Sequence, residues 1–341
     1  MPDFSSVGGL VLLPPGTLSA WGSTVIHRAV AVTRRPVKIV RLHFAEPDLQ
    51  FDAKPGVRVI CLSDYPTIAV LEMLAERNIP VVCFADPPQA AIRHLMAELT
   101  IPLDDALRRY TASSTAFPLL DSANALIVRR TDNARAAEIV TSVLHHLDLV
   151  NVVSESKRSL FEQNLMYGTA DLETVLCSEI SPFVPIDTSN LGQVDLGTIS
   201  AVTDGLYAPL VGCPKEAIIW PREVLRWGGH PEEVAPPYID IVGPNRVLYH
   251  GPYFYLPAGR YVMKAHVGFS EDAVNHPFAI ELHGASCIAR ADFQPRSGGW
   301  FHLGMEFLHS APTERVEVHL TSMRGAIHGR VSLNNVALIP T

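Results

Sequence analysis

Residues 259–269 read Gly-Arg-Tyr-Val-Met-Lys-Ala-His-Val-Gly-Phe. Tyr261, Met263, Ala265, Val267 and Phe269 share one side of that run, and Lys264 and His266 the other. Alternation of period two belongs to a pleated strand with one buried and one wet face. Further along the chain the pattern returns at Phe278, Ile280 and Leu282, and again at Phe301, Leu303, Met305 and Phe307. Val316, Val318 and Leu320 alternate with Arg315, Glu317 and His319, and a last strand runs from Val331 to Leu338. Gly or Pro punctuates the gaps, at Pro257, Gly284, Pro295, Pro312 and Gly325. Six or more short strands at this spacing predict an all-β domain over residues 236–341, an antiparallel β-sandwich of jelly-roll type.

Upstream the pattern changes. Apolar runs at 9–13 and 80–85 are continuous, the mark of strands buried on both faces, and 37–44 and 57–62 read as further strands of the same sheet. Amphipathic stretches lie between and after them, at 23–32, 67–77, 89–99, 103–110 and 134–147, with a further strand at 125–128. Ser23 or Thr24 caps the first helix in this reading, and Asn78 stops the second. Strands and helices in turn predict βαβ units on a parallel sheet, an α/β domain of Rossmann-like or P-loop-like kind over residues 1–150. Residues 151–235 form a helical and irregular connecting region, with helices at 154–167 and 170–180. The Pro-, Gly- and Ser-containing segment 182–214 reads as a long connection.

The chain has 341 residues, 48% hydrophobic and 18% charged, with a net charge of −8. Such a balance supports packed cores rather than long disorder, and two or three units by length. An acidic surface disfavours general nucleic-acid binding. No apolar run reaches the roughly 18 residues of a membrane span. The start Met1-Pro2-Asp3-Phe4 has no secretory pattern, so a cytoplasmic location is expected. The five cysteines, Cys61, Cys83, Cys177, Cys213 and Cys287, are widely spaced and read mostly as free buried thiols.

The first candidate site is the loop Pro14-Pro15-Gly16-Thr17-Leu18-Ser19-Ala20-Trp21-Gly22-Ser23-Thr24 after the first strand. A small-residue loop opening a helix offers backbone N–H groups to an anion. The Walker spacing is not met, and Ser23 stands where its lysine would be. Gly22-Ser23-Thr24 resembles the tail of the phosphosulfate loop in the sulfotransferase branch of the P-loop families. Asp86-Pro87 resembles part of the turn that holds their second phosphate. The loop's basic residue and the turn's arginines have no counterpart here, so the resemblance implies a degenerate domain. The anion or nucleotide site it implies comprises Gly16, Ser19, Gly22, Ser23, Thr24 and Asp86, with His27 or His94 as a base.

The second candidate is the sandwich. Its entry, from Val247 through Tyr253-Phe254-Tyr255 to Tyr261, resembles carbohydrate-binding-type β-sandwiches. It is also similar to sandwich domains attached to bacterial surface-polysaccharide biosynthesis proteins, an impression that Trp220-Pro221-Arg222 strengthens. The resemblance implies glycan binding, with Trp227, Tyr253, Tyr255 and Trp300 as the available aromatics. Aromatics that fill the core or an interface are the competing reading. Of the 14 histidines, His266, His283, His302 and His319 fall on strand positions and could line one sheet face. With no carboxylate or Cys partner recognised at ligand spacing, no metal and no cofactor are expected. No GxSxG, HExxH or GxGxxG motif occurs. The leading expectation is an accessory or degenerate-enzyme protein of bacterial surface-polysaccharide assembly whose sandwich holds glycan or a protein partner. A nucleotide-donor-dependent transferase, sulfotransferase-like or glycosyltransferase-like, is the alternative. A structural module that forms a homodimer is the third.

Overall fold

The computed structural model describes residues 7–31, 33, 36–42, 56–76, 79–132, 134–149, 170–181, 192–213 and 216–341. The chain divides into two compact units, Met1–Asn190 and Leu191–Thr341.

The first unit is a five-stranded sheet. Its strands are β1 (Val7–Leu12), β2 (Val37–Leu42), β3 (Arg58–Ser63), β4 (Val81–Ala85) and β5 (Ala125–Arg129), in the order β2-β3-β1-β4-β5. Every pairing is parallel. The helices are α1 (Thr17–Ala31), α2 (Ile68–Ala75), α3 (Pro88–Leu99), α4 (Leu103–Ser114), α5 (Phe117–Leu120), α6 (Ala136–His146) and α7 (Leu172–Glu179). Leu18, Trp21, Val25 and Ile26 of α1 pack with Val140 and Leu144 of α6 and Leu176 of α7 against Val11, Ile60, Val82 and Phe84 of the sheet. The alternate strand positions Leu10, Leu12, Cys61 and Cys83 are buried too, so the central strands β3, β1 and β4 are covered on both faces. This is why β1 and β4 read as unbroken apolar runs, whereas the edge strand β2 carries exposed Lys38 and Arg41.

The first helix departs from expectation. It starts at Thr17, not at 23, so Gly22, Ser23 and Thr24 lie inside it. The reason is tertiary. Gly22 sits where the helix crosses the Phe84 ring, and an added Cβ would lie 2.6–2.7 Å from that ring. A residue read as loop punctuation is thus a close-packing position. Asn78, residues 43–44 and the helix expected at 154–167 lie outside the described residues.

Among the described residues, the second unit holds α8 (Gln193–Tyr207) and eleven strands. These are β6 (Ile218–Pro221), β7 (Arg226–Trp227), β8 (His230–Val234), β9 (Ile239–Asp240), β10 (Arg246–Tyr255) and β11 (Gly259–Phe269). They continue with β12 (Phe278–His283), β13 (Cys287–Phe293), β14 (Gly299–His309), β15 (Arg315–Ser322) and β16 (Arg330–Pro340). One sheet runs β13-β12-β15-β10-β7-β8 and the other β14-β11-β16-β6, with β9 beside β16. All described pairings within them are antiparallel. The inner faces meet through Trp220 against Phe254 at 6.4 Å and Phe269 against Phe278 at 5.0 Å. The Tyr249 hydroxyl crosses the core to donate to the Val331 carbonyl at 3.2 Å. This is the jelly-roll sandwich that the alternation predicts.

Helix α8 corrects the reading of 182–214 as plain connection. It buries Thr198, Ile199, Val202, Thr203 and Leu206 on one stripe. The Thr203 hydroxyl donates to the Ile199 carbonyl at 2.7 Å, which lets a polar residue occupy a buried position. The cysteines differ from expectation as well. All five are free, but Cys177, Cys213 and Cys287 are exposed. Cys61 and Cys83 are buried, and burial pushes each thiol up to about 12.

Candidate functional sites

In a parallel sheet, ligands sit beyond the carboxyl ends of the strands, where the strand order reverses. Here that place is β1, with β3 on one side and β4 on the other. A cavity of about 230 Å³ opens there, lined in part by Gly16, Ser19, Ser23, Arg41, Tyr65, His94 and Arg109. Three of the six residues expected to hold an anion therefore line it. Gly22 packs on Phe84 instead, and the Thr24 hydroxyl turns back to the Ala20 carbonyl at 3.2 Å. The Ser19 hydroxyl donates to the Phe84 carbonyl at 2.9 Å.

The sixth residue, Asp86, occupies the helix start itself. Leu18 N–H donates to its Oδ2 at 2.7 Å, at the positive end of α1. Gly16 gives that carboxylate room, because an added Cβ would collide with it. Asp86 is fully buried and pairs with Arg130 at 3.1 Å. Arg130 in turn grips Glu173 through two bonds, of 2.6 and 2.9 Å. Burial pushes Asp86 above the ordinary carboxylate range, against the pull of Arg130 and the Leu18 N–H. A side chain of the protein thus takes the place an incoming phosphate would use.

The cations that the loop lacks come from elsewhere. Arg41 at the end of β2 pairs with Asp64 at 3.1 Å. Arg109 of α4 hydrogen-bonds Tyr65, whose hydroxyl burial pushes up and Arg109 pulls down. His94 is buried and meets Glu98 at 3.1 Å, whereas His27 is exposed on α1 and outside the cavity lining.

On the sandwich, the four expected aromatics do not gather. Tyr255 is buried, and its hydroxyl accepts from Arg315 Nε at 3.2 Å. Trp227 lies on β7, its ring tilted against His230 at 4.2 Å. Tyr253 has φ of +66° at an irregularity in β10, and its hydroxyl meets His250 Nδ1 at 3.0 Å. Trp300 is on the other sheet and is 57% exposed.

Trp300 faces Gly268 across the β11–β14 pair, and an added Cβ there would lie 3.0–3.1 Å from the indole. The absent side chain lets the ring lie over the strand. His266 packs beside it at 4.7 Å, and His302 stacks on His266 at 4.7 Å. Asn334 Nδ2 lies 3.4 Å from His266 Nδ1. Across a cavity of about 180 Å³ lined by Ser270, Arg330 and Ser332 stands Tyr238, 53% exposed. The Arg330 guanidinium sits 4.8 Å above the Tyr238 ring and pairs with Asp240 at 3.0 Å. Two exposed rings and several hydrogen-bonding groups therefore border one shallow hollow. The sequence shows Trp300, but Tyr238 comes from a distant segment and carries no periodic signal.

The four strand histidines divide. His266 and His302 share the Trp300 sheet, whereas His283 and His319 lie on the outer face of the six-stranded sheet. The register there sets Glu281 beside His319 and His283 beside Glu317. Carboxylate partners are therefore present, two residues before each histidine. His319 Nε2 is 2.9 Å from Glu317, and the His283 and His319 rings are 4.6 Å apart. Burial pushes Glu317 up, but His319 and the Tyr253 hydroxyl outweigh it and hold the group below its usual value.

No protein-family model and no curated protein sequence matches the chain. Some solved structures resemble part of it. One is the carbohydrate-binding module TmCBM61 in complex with β-1,4-galactotriose, at 12% identity and TM-score 0.25, covering 30% of this chain and 69% of that one. Another is the CBM36-1 domain of a xylanase from the hindgut metagenome of Trinervitermes trinervoides, at 11% and 0.27, covering 37% and 98%. A third is the C-terminal CBM6 of LamC from Zobellia galactanivorans, at 16% and 0.25, covering 36% and 99%. Likeness of this size fixes neither ligand nor activity.

Proposed function

We propose that the protein binds glycan on the outer face of the β14-β11-β16-β6 sheet, with Trp300 as its platform. The observation that carries this is the indole held open over Gly268. Large exposed aromatics that keep one fixed orientation are costly in water and mark contact surfaces. A pyranose ring offers an apolar face of C–H groups to such an indole. Its hydroxyls then fall toward His266, Asn334, Arg330 and Ser332, which donate and accept as hydroxyl groups require. The hollow is shallow, so it suits one or two sugar units of a chain rather than an engulfed small molecule.

The wider setting belongs to the same proposal: a protein of bacterial surface-polysaccharide assembly, with an α/β part that has lost catalysis. It rests on the sequence resemblance and on Asp86 standing at the α1 N-terminus. A glycan array that includes bacterial polysaccharide repeats, followed by calorimetry, tests the site. Binding should fall about tenfold or more in Trp300→Ala and persist in Trp227→Ala. Absence of binding to any glycan, or equal binding by Trp300→Ala, rejects the proposal.

One observation favours a second reading, an anionic donor in the α/β unit. Arg41 and Arg109 bring guanidinium groups into the cavity lining from distant elements, beside Asp64 and Glu98. The anion would then sit beside Ser23 and the two arginines, not on the helix end that Asp86 fills. Millimolar nucleotides and phosphosulfate donors should raise the melting temperature of the native chain but not of Arg109→Ala. No shift with any donor removes this reading.

A further inference from the structure

The outer face of the six-stranded sheet carries a cluster with a different chemistry from that of the Trp300 hollow. Glu281 and His283 project from β12, and Glu317 and His319 from the neighbouring β15. One ligand atom each from Glu281, His283 and His319 lies within 4.8 Å of the others. All four side chains are between 16% and 25% exposed, so the cluster is half-sheltered yet reachable from solvent.

Two details separate it from an ordinary solvated patch. His283 Nε2 is buried and makes no hydrogen bond. Glu281 Oε2 is 3.6 Å from it, too far to bond. That gap is close to the separation of about 3.4 Å between two ligands on a tetrahedral ion with bonds of about 2.1 Å. The neighbours then hold the set in place. Arg290 takes Glu281 Oε1 at 2.6 Å and leaves Oε2 toward His283. Glu317 Oε2 lies 2.9 Å from His319 Nε2, close enough to orient the imidazole through that nitrogen, as a carboxylate does for a ligating histidine.

We propose that Glu281, His283 and His319 bind one divalent transition-metal ion of the zinc class, with Glu317 as a positioning residue and one coordination position left to solvent. Two imidazoles and a carboxylate suit zinc, nickel or copper, and the nitrogen donors disfavour calcium and magnesium. The two Glu-x-His triplets, at 281–283 and 317–319, are the sequence trace of the site. Period two puts each pair on one face, and the register brings the faces together.

The test is titration of the full chain with zinc chloride against a competing chelator, with calcium chloride as control. One zinc per chain should bind, and the melting temperature should rise with zinc but not with calcium. His283→Ala and His319→Ala should each weaken binding about tenfold or more. Glu281→Gln keeps the shape and removes the charge, and serves should either alanine variant fail to fold. His302→Ala, which removes an imidazole from the other sheet, should bind zinc as the wild type does. Cobalt in place of zinc should show the visible bands of a nitrogen and oxygen ligand set. Equal zinc affinity in wild type and the His283 or His319 variants overturns the proposal. So does absence of zinc binding, or a thiolate-to-cobalt band that would place the ion on Cys177, Cys213 or Cys287.

Discussion

Arg130 shows how single residues set the character of the α/β unit. Its side chain is fully buried between Asp86 and Glu173. Truncating a buried charge leaves its partner without compensation, which typically costs about 3–5 kcal/mol. Arg130→Met should lower stability by that order in urea unfolding, because Asp86 would keep only the Leu18 N–H and its neighbours. Gly268 plays the matching part on the sandwich. Gly268→Ala should push the Trp300 indole off β11, weaken glycan binding as Trp300→Ala does, and cost about 1–3 kcal/mol by overpacking. Calorimetry with the same glycan and a urea titration check both effects. Neither role could be read from residue type. Asp86 was legible as a polar residue at a strand end, but that it turns onto Leu18 depends on a neighbour 68 positions away.

At the scale of elements, period and burial account for both the successes and the misses. The strands of the sandwich were legible because each one alternates by itself. Helix α8 was not, since Thr198 and Thr203 hold buried positions that a polarity pattern assigns to solvent. Its docking depends on Gly205, where an added Cβ would lie 2.8 Å from the Ala217 carbonyl oxygen. Gly205→Ala should therefore shift α8 from β6 and destabilise the sandwich unit by about 1–3 kcal/mol, measurable by thermal and urea melts. Helix α1 was displaced in the reading for the opposite reason. Gly22 looks like loop chemistry but serves contact with Phe84, and only the packed helix distinguishes the two uses.

For the molecule as a whole, pH separates the contributions of buried histidines. Burial holds His276 and His309 of the sandwich below their usual value of 6.5, with Arg324 adding to the effect at His276. An unfolded chain takes up these protons before the folded one does. The stability they contribute is complete above about pH 6.5 and is lost as pH falls through their depressed folded values. The sandwich should thus melt at a lower temperature at pH 5 than at pH 7. His276→Asn, which keeps a hydrogen-bonding group near Ser322, should flatten that dependence. A melting temperature that rises on acidification would contradict the assignment.

The fold class of each half follows from the chain's own pattern, because the period of apolar residues is a local property that the backbone geometry of a strand or helix dictates. The sequence also carried the two Glu-x-His triplets and an available Trp300. What those residues meet was set by packing and strand register. Strand register aligned Glu281 with His319, a glycine across the sheet opened Trp300, and a distant carboxylate reached the start of α1. Such juxtapositions join positions tens of residues apart, and no local periodicity encodes which of them will face each other once the sheets close.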